Sequence, residues 1–347
     1  MELYEIYTKM LDAKDPHAFF GDLSSAEDLK KSYKHYAKLT HPDAAAMKDR
    51  YLAQEAFAVL GSLYQKALQE MEEGVYGVTD PIELYKHTTP MFELTVDGHV
   101  CSFYDYVCEG EVANVYKGVS DGEIVYLKMA ADPQDNSLLD NEFAVLSAIR
   151  HVSLPYPLKR LRVNSRTALL MREAKGITLP QLREEYPYGL EEIHVVWMLE
   201  RLLSVVGYLH SHLVVHGNIK PENTVVNKEN HQVSLLGFSF CIPEANKPEA
   251  KYRIVNDGFS APEVNADARV LPAADIYSVG KLGIYLLGGD PMQETVPQHV
   301  NPALRVFLRK MLRPDPALRA DDAWKLWTDL TELRAEVYGP KKFIPLK

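Results

Sequence analysis

The stretch His216–Asn223, HGNIKPEN, decides how this chain is read. It follows a long apolar periodic segment, IHVVWMLERLLSVVGYLHSHLVV, whose pattern is helical. It precedes VSLLGFSF, a short apolar run with the character of a strand. Within the stretch stand an amide at Asn218, a cation at Lys220 and a second amide at Asn223. An amide side chain cannot accept a proton as a carboxylate base does, so chemistry at this loop has no base at position 218.

Working outward, the chain of 347 residues has room for two or three domains. It is 46% hydrophobic and 25% charged, which is ordinary for a globular protein. Its net charge of −10 argues against a general nucleic-acid binder, because phosphate binding calls for a basic surface. Cys101, Cys108 and Cys241 are scattered and have no metal-site spacing, so free thiols, a cytoplasmic location and no metal are expected. The N-terminus MELYEIYTKMLDAKD lacks the pattern of a signal peptide, and no apolar run is long enough to span a bilayer. A membrane role is therefore not expected.

Residues 1–73 read as helical. The segment 74–91 carries the Gly, Pro and Thr of a linker. Residues 92–172 hold β-branched runs such as HVCSFYDYV, VANVYKGV and GEIVYLKMA, and 173–340 turn mostly helical before a short basic tail at 341–347. Strands followed by helices predict a two-lobed α+β domain. In the first part, AEDLKKSYKHYAKLTHPD places Leu29, Tyr33, Tyr36 and Ala37 on an apolar stripe. Lys30, Lys34 and Lys38 share another face with Lys31 beside it, and Pro42 stops the helix by Thr40. A second helix is expected from about Met47 to Met71. This hairpin with His41-Pro42-Asp43 in its turn resembles the J domain of DnaJ-type co-chaperones. The resemblance implies that these three residues, with Lys30, Lys31, Lys34 and Lys38, dock on an Hsp70-type chaperone. The plainer alternative is a turn tripeptide beside a solvated helix face.

Residues 92–338 resemble a protein kinase, with its motifs in order. Counting back from VYKG, the glycine-rich loop positions fall on Cys108, Gly110 and Ala113, and Gly110 is the one glycine among them. Lys128 of VYLK matches the phosphate-holding lysine, and Glu142, 14 residues later, matches the glutamate that pairs with it. Met171 falls near the gatekeeper position. Lys220 and Asn223 match the loop lysine and a metal-binding asparagine. The base aspartate is replaced by Asn218, the motif arginine by Gly217, and the magnesium-binding aspartate by Gly237 of Gly237-Phe238-Ser239. Glu244 lies farther on as a distant substitute. Glu263 of the A-P-E motif, Asp275 and Arg319 match residues that hold the fold.

The resemblance implies a scaffold kept beside degenerate catalytic positions. One expectation follows: a pseudokinase adaptor that recruits an Hsp70-type chaperone to an unidentified protein client of the kinase-like domain, with no catalytic residue. The alternatives are an atypical nucleotide-dependent transferase of the kinase fold, or a pure protein-interaction module. No cofactor is required by these residues. ATP, held weakly or without metal, is the one they allow, through Gly110, Lys128, Glu142, Met171, Lys220 and Asn223. Trp197, Trp324 and Trp327 read as core, and the tail GPKKFIPLK as loose.

Overall fold

The computed structural model describes residues 3–13, 15–45, 49–72, 76–77, 85, 88–228, 232–266, 268–339 and 346. Contacts divide the chain into two units: Met1–Pro90 with Leu94–Cys101 and Val119–Glu123, and Met91–Glu93 with Ser102–Gly118 and Ile124–Lys347. Most of the expected linker at 74–91, and the start of the expected second helix at Met47, lie outside the described residues.

The first unit contains α1 (Leu3–Asp12), α2 (Pro16–Phe20), α3 (Ala26–Thr40) and α4 (Arg50–Glu72). Ser25 caps α3, accepting from the Asp28 N–H while its hydroxyl donates to the Asp28 carboxylate. Pro42 forces His41 into an extended conformation, which ends the helix. His41 Nδ1 then accepts from the Asp43 N–H at 3.2 Å, closing the turn Pro42–Ala44. Ile6, Met10, Phe19, Phe20, Leu29, Leu60 and Ala67 form the core. The segment DAKDPHAFFGDLSS looks like an overlong insertion in the sequence, yet it builds α2. Asp15 caps that helix at the Ala18 N–H, and Phe19 and Phe20 enter the core. Lys30, Lys31, Lys34 and Lys38 are exposed, as are His41 and Asp43.

The chain also forms a sheet ordered β1-β2-β3-β4-β6-β5, made of Phe92–Val96, His99–Glu109, Ala113–Ser120, Glu123–Ala130, Arg166–Arg172 (β6) and Pro157–Val163 (β5). In the antiparallel register of β4 on β6, Lys128 lies opposite Leu169 and Tyr126 opposite Met171. Helix α5 (Asn136–Ala148) packs on this sheet and presents Leu139, Glu142, Val145 and Leu146 as buried positions. A second sheet, β7-β8-β9 (Ile177–Thr178, Thr224–Asn227, Gln232–Leu235), frames the HGNIKPEN loop. Between β7 and β8 come α6 (Leu179–Glu185) and α7 (Glu192–Ser211). The rest of the lobe is α8 (Pro262–Asn265), α9 (Ala273–Leu286), α10 (Pro302–Met311) and α11 (Ala323–Tyr338).

Apolar residues on nearly every face of α7 and α9 make them central helices, surrounded by protein rather than lying on its surface. Gly207 lets α11 approach α7, because a Cβ there would stand 2.7 Å from the Trp324 ring. Trp197 is buried, whereas Trp324 and Trp327 are half-buried. Leu346 corrects the expectation of a loose tail, since it is buried in the large core of the second unit. The rest of 340–347 is outside the described residues.

The pair Arg319–Glu263 ties the connection after α10 to α8. The guanidinium makes two hydrogen bonds to the carboxylate, at 2.6 and 3.0 Å, and donates further to the carbonyls of Arg313, Ala273 and Pro314. Both side chains are almost wholly buried. Truncation of one partner leaves the other charge buried and unpaired. We expect Arg319→Ala to lower the unfolding free energy by about 3–5 kcal/mol in urea titrations. An unchanged midpoint would show that the pair contributes nothing net.

Candidate active site

Lys128 leaves β4 toward α5, where Glu142 faces inward. Their ion pair is formed, with Nζ to Oε2 at 2.6 Å and Glu142 only 2% exposed. Ser239 completes a triangle. Its hydroxyl donates to the same Glu142 oxygen at 2.6 Å and accepts from Lys128 Nζ at 2.8 Å. Ser239 occupies the third place of the Gly-Phe-Ser triplet, and its part in the site is a tertiary fact that no sequence spacing signals.

The triplet itself turns tightly. Gly237 has φ +82°, and Phe238–Phe240 form one helical turn. A Cβ on Gly237 would stand 2.6 Å from the Asn223 amide group. Asn223 in turn donates through Nδ2 to the Asn218 carbonyl at 2.9 Å. The kinase resemblance implies magnesium at this place, and the residues do not fit it. Position 237 offers no carboxylate and no space for one, and Asn223, whose Nδ2 is spent on the loop backbone, has only its Oδ1 to offer. Among the described residues no group of three or more His, Cys, Asp or Glu side chains is placed to hold a metal. Glu244, the distant substitute, pairs instead with Lys247 at 2.7 Å on an exposed turn.

The HGNIKPEN loop hangs from Asp275 of α9. The Asp275 carboxylate accepts from the backbone N–H groups of His216 and Gly217, at 2.8 and 2.9 Å, and lies 3.0 Å from His210 Nε2. Burial pushes the Asp275 carboxyl upward, but the hydrogen bond and charge of His210 outweigh it and hold the group below its ordinary range. His216 is wholly buried. Its Nε2 meets the Leu236 carbonyl at 2.9 Å, its Nδ1 accepts from the Asn218 N–H, and Phe238 packs edge-on against the ring. Burial lowers the His216 pKa despite the nearby Asp275 charge.

Asn218 is 2% exposed, and both ends of its amide are hydrogen-bonded. Oδ1 accepts from Asn256 at 2.9 Å, and Nδ2 donates to Glu111 at 3.3 Å. The other Glu111 oxygen meets Lys220 Nζ at 2.5 Å. Glu111 comes from the connection between β2 and β3. Sequence comparison passes over it, because the glycine-loop pattern leaves its position free. Gly110 spends its N–H on the Ala113 carbonyl at 2.8 Å, within the same connection. Met171 is buried in the core of the unit. The Cys108 thiol is raised by burial, which Lys128 opposes, so it is not an activated nucleophile. The structure thus forms two clusters within this unit: Lys128, Glu142 and Ser239 in one, and Glu111, Asn218, Lys220 and Asn256 in the other.

Two measurements test this geometry. Gly237→Asp restores the absent carboxylate, but the crowding against Asn223 should cost about 1–3 kcal/mol of stability. A variant as stable as wild type would show that Asn223 can move aside. For His216, the folded pKa lies below the unfolded value of about 6.5, so the unfolded chain binds the extra proton and acid destabilises the fold. Its contribution is whole above pH about 6.5 and is lost as pH falls toward the folded pKa, by up to about 1.4 kcal/mol per pH unit. Urea titrations between pH 7 and 5 should show this slope, and His216→Gln should reduce it.

The family model for the protein kinase domain matches residues 102–332. Human myosin light chain kinase 3 is 31% identical over 170 residues, covering 48% of this chain and 20% of that protein. The serine/threonine-protein kinase PAK mbt of Drosophila melanogaster is 26% identical over 210 residues, 55% of this chain and 32% of that protein. The serine/threonine-protein kinase fray1 of Dictyostelium discoideum is 25% identical over 193 residues, 55% of this chain and 33% of that protein. The chain therefore spans a fifth to a third of the length of these relatives. They correct the expectation of a chaperone-recruiting pseudokinase adaptor, because the proteins this chain resembles are named as kinases and the matched model lies outside the N-terminal helices. Among the described residues no helix is long and apolar enough to cross a membrane. With the paired Lys128 and Glu142, the two-lobed α+β architecture and the match over residues 102–332, this chain belongs to the protein kinase domain family.

Proposed function

We propose that the kinase-fold region is an atypical nucleotide-dependent transferase, which binds ATP and passes a group from it to a hydroxyl acceptor. The assembled ion pair between Lys128 and Glu142 carries this reading. Breaking a buried pair is costly, and an ammonium held by a buried glutamate is fixed in position for phosphate oxygens. The relatives named as serine/threonine kinases support the same class of chemistry.

The chain's own residues divide the work. Glu142 and Ser239 orient the Lys128 ammonium, and it meets the phosphates nearest the nucleoside. Lys220 supplies a second positive charge at the HGNIKPEN loop, where charge accumulates during transfer. Preorganised donors of this kind are usually the largest single contribution to catalysis. No step is assigned to a metal, because position 237 offers no carboxylate to hold one.

The test is incubation of the full chain with ATP labelled at the α or the γ phosphorus, with and without divalent metals. Label on the chain or on a mixed Ser/Thr peptide pool is expected, and Lys128→Ala should abolish it. The labelled position separates phosphoryl from nucleotidyl transfer. No label in wild type, under any metal, defeats the proposal. ATP should also raise the melting temperature of wild type, as any ligand selective for the folded state does.

A further inference from the structure

We propose that Glu111 supplies the carboxylate that position 218 lacks, accepting the proton of the attacking hydroxyl. The inference rests on the transferase reading above. Among the described residues, Glu111 is the carboxylate that contacts both loop side chains, Lys220 at 2.5 Å and Asn218 at 3.3 Å. A general base has to stand within hydrogen-bond reach of the proton that it takes. Lys220 marks the place where the family's loop works, and Glu111 is seated on it.

The seat is built from both sides. The connection carrying Glu111 is pinned by the Gly110 N–H on the Ala113 carbonyl at 2.8 Å, and by the Ala131 N–H on the Val112 carbonyl at 3.0 Å. Val112 and Ala113 are buried, so the residues after Glu111 are anchored in the core. On the loop side, Asn256 donates to Asn218 Oδ1, and the Asn256 N–H is itself held by Ser260 Oγ at 2.8 Å. That chain of donors turns the Asn218 NH2 toward Glu111. An aspartate at 218 would set two carboxylates against each other, whereas the amide donates to one. Asparagine at 218 and glutamate at 111 therefore form a complementary pair, with the single carboxylate moved from the loop to the β2–β3 connection. The Glu111 side chain keeps 38% of its surface, so a hydroxyl can reach it.

In the step, the acceptor oxygen forms its bond to the γ-phosphorus and its proton passes to Glu111. The bond from that phosphorus to the bridging oxygen breaks, and the electron pair leaves on the nucleoside diphosphate. Lys220 balances the charge of the carboxylate before transfer.

The test compares wild type, Glu111→Gln and the double variant Glu111→Gln with Asn218→Asp, by transfer from γ-labelled ATP to the Ser/Thr peptide pool. ATP affinity is followed in parallel by thermal shift. Glu111→Gln should lose about 10²-fold or more in transfer rate while still binding ATP. The double variant, with its carboxylate back at 218, should recover transfer. Glu111→Gln that transfers like wild type overturns the proposal and leaves the transferase reading intact. So does a variant that binds ATP more tightly and transfers faster, which would make Glu111 a plug on Lys220. Loss of transfer without recovery in the double variant overturns it in favour of a structural role. A wild type without transfer overturns both readings together.

Discussion

One buried carboxylate governs the geometry of the loop on which this domain turns. Asp275 receives hydrogen bonds from the backbone of His216 and Gly217 and contacts His210. An ionised carboxylate inside a protein has to be saturated with donors, because leaving it desolvated and unpaired costs several kcal/mol. The loop entrance is therefore tied to α9, and the end of α7 is tied to both. His216 is then placed to meet Phe238 and the Leu236 carbonyl, which settles the position of the Gly-Phe-Ser turn. From there Ser239 reaches the Lys128–Glu142 pair. A chain of buried polar contacts thus runs from the scaffold of the large lobe to the ion pair of the small lobe.

The replaced residues change what the cations of the cleft do. With glycine at 237, the nearest oxygen for Lys128 beyond Glu142 is the Ser239 hydroxyl, and it closes a three-membered network. With asparagine at 218, Lys220 takes its counter-charge from Glu111. Both substitutions are accommodated locally. Asn223 fills the space beside Gly237, and Asn256 satisfies the Asn218 oxygen. Networks of this kind are stable only when every member is satisfied, and here each named donor has its acceptor.

The N-terminal unit follows simpler rules. Its helix ends lie where Ser25 and Pro42 place them, and the apolar stripe of α3 faces its core through Leu29. The short helix α2 was not legible, because five residues give no usable periodicity. Its Phe19 and Phe20 become core only when α1 and α4 are present to cover them.

By itself, the amino-acid sequence determined the kinase-like order of motifs and the loss of carboxylates at 218 and 237, because identity and spacing are written along the chain. It also determined the helix stops, since proline and capping residues act within a few positions of themselves. Tertiary structure alone decided the contacts that lie outside the motifs. Glu111 and Lys220 are separated by more than a hundred residues, as are Lys128 and Ser239. Neither pair has a local signature, because contact between them depends on how the β2–β3 connection and the Gly-Phe-Ser turn are carried to the cleft by elements whose own residues are selected for packing. The burial of Leu346 belongs to the same class. Its residue type is visible in the sequence, but the apolar surface that receives it is assembled only when the large lobe has folded.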